Sequence, residues 1–210
     1  MQALILAAGA GSRMGGRPKG LLELDGEPLL LRHIEALKAV GWQRITVVLG
    51  YYAEAFEPIL TQRYGTGSGI TLVFNPAPEV GQVSSLRLGL SVMAPVSAGV
   101  LVVLSDQPLL TAADFSAIKQ VYQDQPQNIQ CVVPWQNGVP GNPVALGPQA
   151  VAAILAGDAQ LGGKQWQAAH PEQVYLWPAP NRHYFVDVDT PQDLESLVAQ
   201  WGQRLSWPSV

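Results

Sequence analysis

The sequence lacks the features that are typical of nucleic-acid-binding, membrane and secreted proteins. It carries 12 lysines and arginines against 16 acidic residues, a formal net charge of −4, whereas proteins that bind nucleic acids need a basic surface. No apolar run approaches the roughly 18 residues of a membrane-spanning helix, and the chain does not begin with the basic and apolar segments of a secretion signal. We therefore expect a cytoplasmic protein that binds neither nucleic acids nor membranes.

Cysteine and histidine are also scarce. The single cysteine, Cys131, lies in the apolar stretch IQCVVPW, so it forms no internal disulfide and is expected to be a small buried hydrophobe. His33 falls on a predicted helix, and His170 and His183 have no evident partners in the sequence. We interpret all three histidines as structural or surface residues.

Strand-like apolar runs alternate with helical patterns along the 210 residues. Such alternation predicts a single α/β domain with a mainly parallel sheet, here over residues 1–203, followed by a loosely packed tail at 204–210. The patterns predict strands at 3–8, 44–50, 69–75, 99–106, 129–134, 143–146, 173–176 and 183–188. They predict helices at 28–41, 51–62, 83–93, 111–124, 148–156 and 190–202.

A glycine-rich, cationic segment directly follows the first predicted strand, in ALILAAGAGSRMGGRPKG. Its glycines permit sharp turns and expose backbone amides, and Arg13 and Lys19 add positive charge, a combination that suits a polyphosphate. The spacing fits neither the dinucleotide pattern nor the P-loop pattern. We expect the loop to be irregular from Gly9 to about Pro28, and a surface turn with solvated cations is the alternative interpretation.

Carboxylates follow two of the predicted strands. Asp106 ends the apolar run VLVVLSD, where ligands of open α/β sheets bind, and one or two carboxylates together with phosphate oxygens suit Mg²⁺. Thr111 is a better cap for the following helix than Asp106. Asp187 and Asp189 end a further predicted strand. The sequence leaves open whether they bind metal or whether the segment is a structural helix start, with Thr190 or Asp189 as the cap and Pro191 as the first helical residue.

Serines mark the predicted start of the helix in NPAPEVGQVSSLRLGL. Free amides at a helix start favour an anion or a polar nucleotide edge, so Ser84 and Ser85, with Arg87 one turn further on, are candidate ligand contacts. Simple capping by serine, with nothing bound, is the alternative.

Five motifs, LILAAGAGSRMGGRPKG, GQVSSLRLGL, SDQPLL, GNPVAL and DVDTPQDL, occur in this order over about residues 1–200. Together they resemble the MobA-like nucleotidyltransferases, in particular the molybdenum cofactor cytidylyltransferase branch. The resemblance implies a Rossmann-like, three-layer α/β fold of the nucleotide-diphospho-sugar transferase type. It also implies transfer of CMP from CTP to the phosphate of molybdopterin or molybdenum cofactor, with Mg²⁺ and release of pyrophosphate.

The resemblance assigns roles to individual positions. Arg13, Lys19 and Asp106 would be catalytic, Asp106 and Asp189 with Asp187 would hold the metal, and Ala8 favours CTP over GTP. The implied nucleotide contacts are Ala7, Ala8, Gly9, Gly11, Ser12, Arg13, Lys19, Gln82, Ser85 and Asp106. Because a phosphate monoester has its second pKa at about 6, it is already nucleophilic at neutral pH, and no general base is needed.

Two segments near the expected acceptor depart from the family pattern. Asn142 stands where the family often has histidine. Lys164 ends a longer segment at which the family usually has arginine, and lysine cannot make the two parallel hydrogen bonds to a phosphate that arginine can. A sugar or polyol phosphate therefore remains an alternative acceptor, and GTP an alternative donor. A non-catalytic chaperone that delivers a pterin cofactor to a client molybdoenzyme is a further alternative, whereas the loop spacing disfavours a nicotinamide oxidoreductase.

Overall fold

The structure is a computed structural model that describes residues 1–65 and 67–208. Its strands are β1 (Gln2–Ala7), β2 (Glu23–Leu24), β3 (Glu27–Pro28), β4 (Ile45–Leu49), β5 (Ile70–Phe74), β6 (Val100–Leu104), β7 (Cys131–Gln136), β8 (Val139–Pro140), β9 (Val144–Leu146), β10 (Val174–Pro178) and β11 (Leu205–Ser206). Its α-helices are α1 (Leu29–Ala39), α2 (Ala53–Tyr64), α3 (Gln82–Met93), α4 (Ala112–Gln123), α5 (Pro148–Ala156), α6 (Gly163–Ala169) and α7 (Pro191–Trp201).

The central sheet has eight strands in the order β10-β7-β9-β6-β1-β4-β5, with β8 paired to β7. The first strand, β1, lies inside the sheet, parallel to β4 and β6, and Ile5 is opposite both Val47 and Val103. Only β8 and β9 run antiparallel to their neighbours in this sheet. The predicted α/β class with a mainly parallel sheet is therefore confirmed.

Helices cover both faces of the sheet because its inner strands are apolar at successive positions. Along β1, Ala3, Ile5 and Ala7 pack in one core cluster with residues of α1, α2 and α4. Leu4 and Leu6 point the other way, into a cluster with residues of α3, α5 and α6. The fold thus has three layers.

The expected small buried residue at Cys131 is confirmed. The side chain is completely buried in the second of these clusters, and burial raises the pKa of its thiol to about 12. A thiol in such surroundings stays protonated and unreactive near neutral pH.

The predicted strand at 183–188 is wrong. His183–Phe185 instead forms a 3₁₀ turn that is held against α4 by Asp114. Asp114 Oδ2 lies 2.9 Å from Nδ1 of His183, which therefore has a partner that its sequence position did not reveal, and the Tyr184 hydroxyl donates to the Asp114 carbonyl at 3.1 Å. These long-range contacts outweigh the local strand preference.

The segments at 9–28 and 204–210 are more ordered than the sequence indicates. The first contains 3₁₀ turns at Ser12–Met14 and Lys19–Leu21 and the short strands β2 and β3. In the second, β11 pairs with β2 in a three-stranded sheet, and Leu205 is buried, so the expected loose packing is wrong there. The predicted tail also includes residues 209 and 210, which lie outside the described residues.

Both helix starts indicated by threonine have the expected form. Thr111 caps α4 together with Asp114, and Thr190 caps α7 together with Asp193, each pair forming a capping box. Within the described residues, no helix is both long enough and apolar enough to cross a membrane.

Candidate functional site

A cavity of about 650 Å³ opens beyond the carboxyl ends of β1 and β6. Parallel sheets place ligands at this edge, since strand ends and the loops after them meet there. Gly11, Ser12, Ser84 and Arg87 are candidates that do not line it. The candidates that do line it are Ala7, Ala8, Gly9, Arg13, Lys19, Gln82, Ser85, Asp106, Asn142, Lys164, Asp187 and Asp189.

The loop after β1 owes its course to Gly11. This residue has φ of +58°, which side chains disfavour, and its carbonyl accepts bonds from the Met14 and Gly16 amides at 2.8 and 3.0 Å. The turn exposes Ser12 to solvent, away from the cavity lining. Gly11 therefore shapes the loop, while Arg13 and Lys19 supply its charges.

Lys19 lies between two carboxylates from distant parts of the chain. Its Nζ donates to Oδ2 of Asp106 and, at 2.6 Å, to Oδ1 of Asp189. Arg13 donates from Nη2 to Oδ2 of the same Asp189 at 2.8 Å. Lys19 and Asp106 are mostly buried, with side chains 17% and 16% exposed, whereas the Arg13 side chain is 67% exposed. The cationic loop is thus joined to the acidic residues after β6 and before α7 in one charge network.

The network changes the protonation behaviour of its members. Burial lowers the pKa of Lys19, but Asp106 and Asp189 outweigh burial and hold that pKa above its usual value. Burial raises the pKa of Asp189, but Lys19 and Arg13 outweigh it and hold that pKa below its usual value. Lys19 stays positive and Asp189 negative near neutral pH.

Asp187 has a different environment. Burial and then the charges of Asp106 and Asp189 raise its pKa, so its carboxyl group holds a proton more readily than a free aspartate does. The Val188 amide donates to the Asp106 carbonyl at 3.0 Å, which holds the segment 187–189 against the end of β6. Oδ1 of Asp106 is buried without a hydrogen-bond partner among the described residues.

No set of three or more histidine, cysteine or acidic residues in the described part of the chain is arranged to hold a metal ion. Lys19 bridges Asp106 and Asp189, two of the three predicted ligands. The metal assignment for Asp106, Asp187 and Asp189 stays a prediction.

A buried polar network supports the floor beside Asp106. Nε2 of Gln107 donates to the carbonyls of Asn142 and Tyr184 at 3.3 and 3.2 Å. The carbonyl of Gln107 lies 2.8 Å from Nε2 of His33, which is fully buried, and burial lowers the pKa of His33 to about 4. A neutral His33 therefore donates to Gln107 as a structural residue. The network fixes Asn142 at the cavity wall.

The start of α3 forms another wall. Nδ2 of Asn75 donates to the hydroxyls of Ser84 and Ser85 at 2.9 Å each, and the hydroxyl of Ser84 reaches the Gly81 carbonyl at 2.8 Å. Of this trio of polar side chains, Ser85 lines the cavity, and Gln82 lies there beside it.

Arg87 turns away from the cavity, so its expected ligand contact is wrong. Its guanidinium instead binds backbone carbonyls at the end of α5 and in the loop beyond it, because the last carbonyls of a helix lack partners within the helix. The acceptors are Ile154, Leu155, Gly157 and Leu161.

Sequence reasoning missed several cavity residues, among them the polar side chains of Tyr51 and Glu79. Tyr51 directly follows Gly50 after β4, so the strand-end rule could have found it, whereas nothing local marks Glu79. A Cβ atom on Gly50 would lie 2.8 Å from Cβ of Ala8 and 2.9 Å from Cβ of Pro78. Ala8 and Pro78 therefore close tightly on Gly50 at this end of the cavity.

The chain is similar in sequence to several known proteins. The chain is 29% identical over 147 residues to the N-acetylmuramate alpha-1-phosphate uridylyltransferase of Neisseria meningitidis, which covers 68% of this chain and 62% of that protein. It spans only 20% to 23% of the length of larger bifunctional relatives.

Two solved structures share the fold. Rv0371c of Mycobacterium tuberculosis in complex with manganese has a TM-score of 0.66 and 21% identity, over 95% of this chain and 98% of that one. The inositol-1-phosphate CTP transferase of T. maritima has a TM-score of 0.66 and 16% identity, over 94% and 92%. At such identities the likeness extends to the fold alone. The model of the MobA-like NTP transferase domain matches residues 3–174, and the chain therefore belongs to that family.

Proposed function

We propose that this protein transfers CMP from CTP to the phosphate of an acceptor and releases pyrophosphate, with a molybdopterin-type cofactor as the leading acceptor. The observation that carries the proposal is the network of Arg13, Lys19, Asp106 and Asp189 at the mouth of the cavity. It combines the cations that a triphosphate needs with the carboxylates that a divalent cation needs.

CTP is favoured over GTP because Ala8 lines the cavity and is the residue by which the chain resembles the cytidylyltransferase branch. Its side chain lies close to Gly50, where an added Cβ atom would be 2.8 Å from Cβ of Ala8. The inositol-1-phosphate CTP transferase with the same fold gives further support for a cytidine nucleotide.

A sugar or polyol phosphate is the second candidate acceptor. It is supported by two proteins that are similar to this chain, the N-acetylmuramate alpha-1-phosphate uridylyltransferase and the inositol-1-phosphate CTP transferase. The chemistry of transfer would be the same, since each of these acceptors presents a phosphate monoester.

The donor set suits Mg²⁺, which prefers carboxylate and phosphate oxygens and retains several waters. Asp106 and Asp189 would hold the ion with Asp187 beside them. The unpartnered Oδ1 of Asp106 is an acceptor that a cation would satisfy. When bound, the ion would neutralise charge on the triphosphate. The manganese complex of Rv0371c agrees with a divalent ion in this fold.

The residues act by position and charge. An oxygen of the acceptor phosphate forms a bond to the α-phosphorus of CTP, and the bond between that phosphorus and the bridging oxygen to the β-phosphate breaks. Pyrophosphate leaves with the electron pair. Lys19 and Arg13 stabilise the charge that develops on the leaving group, and no proton has to be removed from the acceptor.

The test is pyrophosphate release by the purified protein with Mg²⁺ and molybdopterin, comparing CTP, GTP, ATP and UTP. Release with CTP is expected, whereas release with GTP alone would retain the mechanism and change the product. With an authentic acceptor and folded protein, no release with any nucleotide would overturn the transfer reaction and favour a non-catalytic pterin-binding protein.

Asp106→Asn provides the matched site variant. It should reduce release about a hundredfold or more, because the amide loses the charge that holds Lys19 and a metal ion. Asp124→Asn, at the exposed end of α4, makes the same change outside the cavity and should leave release unchanged. Equal rates in the Asp106 variant and the wild type would remove Asp106 from the machinery.

A further inference from the structure

The segment that contains β11 lies behind the loop that carries Arg13 and Lys19. β11 pairs antiparallel with β2, with Leu205 opposite Leu24, and β2 follows Lys19 closely in the sequence. None of the described residues of this segment, 204–208, lines the nucleotide cavity. The segment therefore contacts the loop from the side that faces away from a bound nucleotide.

A third hydrophobic cluster joins this segment to the parts of the chain that carry the charge network. Its buried members include Met14 of the loop after β1, Leu109 of the segment after β6, Val188 of the segment before α7 and Leu205 of β11. The partly buried ring of Trp207 packs against the same cluster. Because buried side chains are closely packed, a displacement at β11 is transmitted to the loop.

Trp207 also contacts the loop directly. The guanidinium carbon of Arg17 lies 4.8 Å from the centroid of the Trp207 ring, which is within the range of a cation–π interaction. Arg17 does not line the cavity, and no ion pair among the described residues includes it. The aromatic ring is therefore the group that holds this guanidinium in the described part of the chain.

Arg17 is well placed to control the shape of the loop. Its backbone carbonyl is so close to Gly11 that a Cβ atom on Gly11 would overlap it. Arg13 lies between these two residues in the sequence, and Lys19 follows Arg17 after Pro18 alone. A change in the position of Arg17 would therefore move both cations of the charge network.

We propose that Trp207 is a positioning residue for nucleotide binding, and that it acts through Arg17 to keep the loop in the form that binds the triphosphate. The inference rests on the proposed function, which gives this loop a triphosphate as its ligand. With the ring in place, Arg13 and Lys19 are ordered before CTP binds, so less conformational freedom is lost on binding. Without the ring, the phosphates themselves must order the loop.

Steady-state pyrophosphate release with CTP, Mg²⁺ and molybdopterin tests this role. Trp207→Ala should raise KM for CTP about fivefold, the effect expected from loss of a cation–π contact at a partly exposed site. The value of kcat should stay within about twofold of the wild type, because the bound phosphates order the loop. Trp207→Phe keeps an aromatic face and should bring KM to within about twofold of the wild type. An unchanged KM in folded Trp207→Ala would overturn the inference.

The division between KM and kcat separates positioning from a loss of folded protein. A variant that is only less stable contains fewer active molecules, so its apparent kcat falls while KM for CTP is unchanged. Such a result for Trp207→Ala would overturn the inference. Tyr64→Ala is the matched control, since the partly buried Tyr64 ring lies 5.0 Å from Nζ of Lys38 and outside the cavity lining. It removes a contact of the same kind and should leave KM for CTP unchanged.

A double-mutant cycle tests whether Trp207 acts through Arg17. Arg17→Ala removes the same contact from the other side, should raise KM for CTP about fivefold, and is informative even if Trp207→Ala does not fold. In the double variant KM should stay within about twofold of that of either single variant, because the contact can be lost only once. Effects that multiply in the double variant would show that the two residues act independently and would overturn the inference.

Calorimetry with CTP and Mg²⁺ separates failure of the inference from failure of the transfer. If no acceptor supports release, Kd for CTP would be compared between the wild type and Trp207→Ala. Binding that is about fivefold weaker in the variant retains the positioning role and overturns the transfer alone. Equal binding overturns the inference, and no binding to the wild type overturns the nucleotide site on which both depend.

Discussion

The ammonium group of Lys19 lies 2.6 Å from Oδ1 of Asp189, which is 170 positions away in the sequence. The same ammonium group contacts Asp106, so a cation of the opening loop joins the segment after β6 to the segment before α7. In this arrangement Lys19 occupies the position between the carboxylates. In the proposed reaction it would exchange these partners for the phosphates of the nucleotide.

Lys19→Met should therefore reduce pyrophosphate release about a hundredfold, because the leaving group loses a directly placed positive charge. Steady-state release with saturating CTP measures the effect. Lys38→Met, on the exposed side of α1, is the control and should retain full activity. Wild-type turnover in the Lys19 variant would show that its ion pairs are purely structural.

Ala8→Gly should reduce the preference for CTP over GTP by about tenfold, because one methyl group in a closely packed pocket has an effect of this size. The ratio of kcat/KM for the two nucleotides is the measurement. Ala113→Gly, on the exposed surface of α4, introduces the same backbone freedom outside the cavity. If the ratio is the same in the Ala8 variant and the wild type, base selection depends on other residues.

Arg87→Ala should lower the free energy of unfolding by about 2 kcal/mol, since several backbone carbonyls lose a charged donor. Denaturant titration at neutral pH measures the change. Arg63→Ala removes a half-exposed arginine whose ion pairs are at the surface, and it should lower the free energy of unfolding by about 1 kcal/mol or less. Equal losses in the two variants would contradict the structural role given to Arg87.

His33 should make stability depend on pH between about 6.5 and 4. Its pKa is depressed in the folded protein, to about 4, so the unfolded chain takes up a proton first as pH falls. The neutral His33 ring makes its full contribution to the free energy of unfolding above pH 6.5, and this contribution is lost progressively as the pH falls to 4. By this linkage, the loss between pH 7 and pH 5 is about 2 kcal/mol.

Denaturant titrations at pH 7 and pH 5 test this effect, with His33→Gln as the comparison. The glutamine amide keeps a donor for the Gln107 carbonyl but cannot be protonated in this range, so the variant should lose less stability on acidification than the wild type. The same loss in both proteins would assign the pH dependence to other groups.

The sequence alone determined the features that depend on neighbouring residues. Predominantly apolar runs mark β1, β4 and β6 because strands that are buried on both faces do not alternate apolar with polar residues. Thr111 and Thr190 mark helix starts because capping acts within one turn. The strand-end rule also brought Asp106 and the loop after β1 to the same edge of the sheet.

Only the tertiary structure decided which of these groups pair. Nothing in the sequence around Arg87 indicates that its side chain binds the end of α5 rather than a ligand. Residues 183–188 have the composition of a strand, although contacts with Asp114 hold the first of them in a 3₁₀ turn. Lys19 meets Asp106 and Asp189 because the loop, β6 and the start of α7 converge at one edge of the sheet. Local preferences act over a few residues, whereas contacts between distant segments depend on how the whole chain packs.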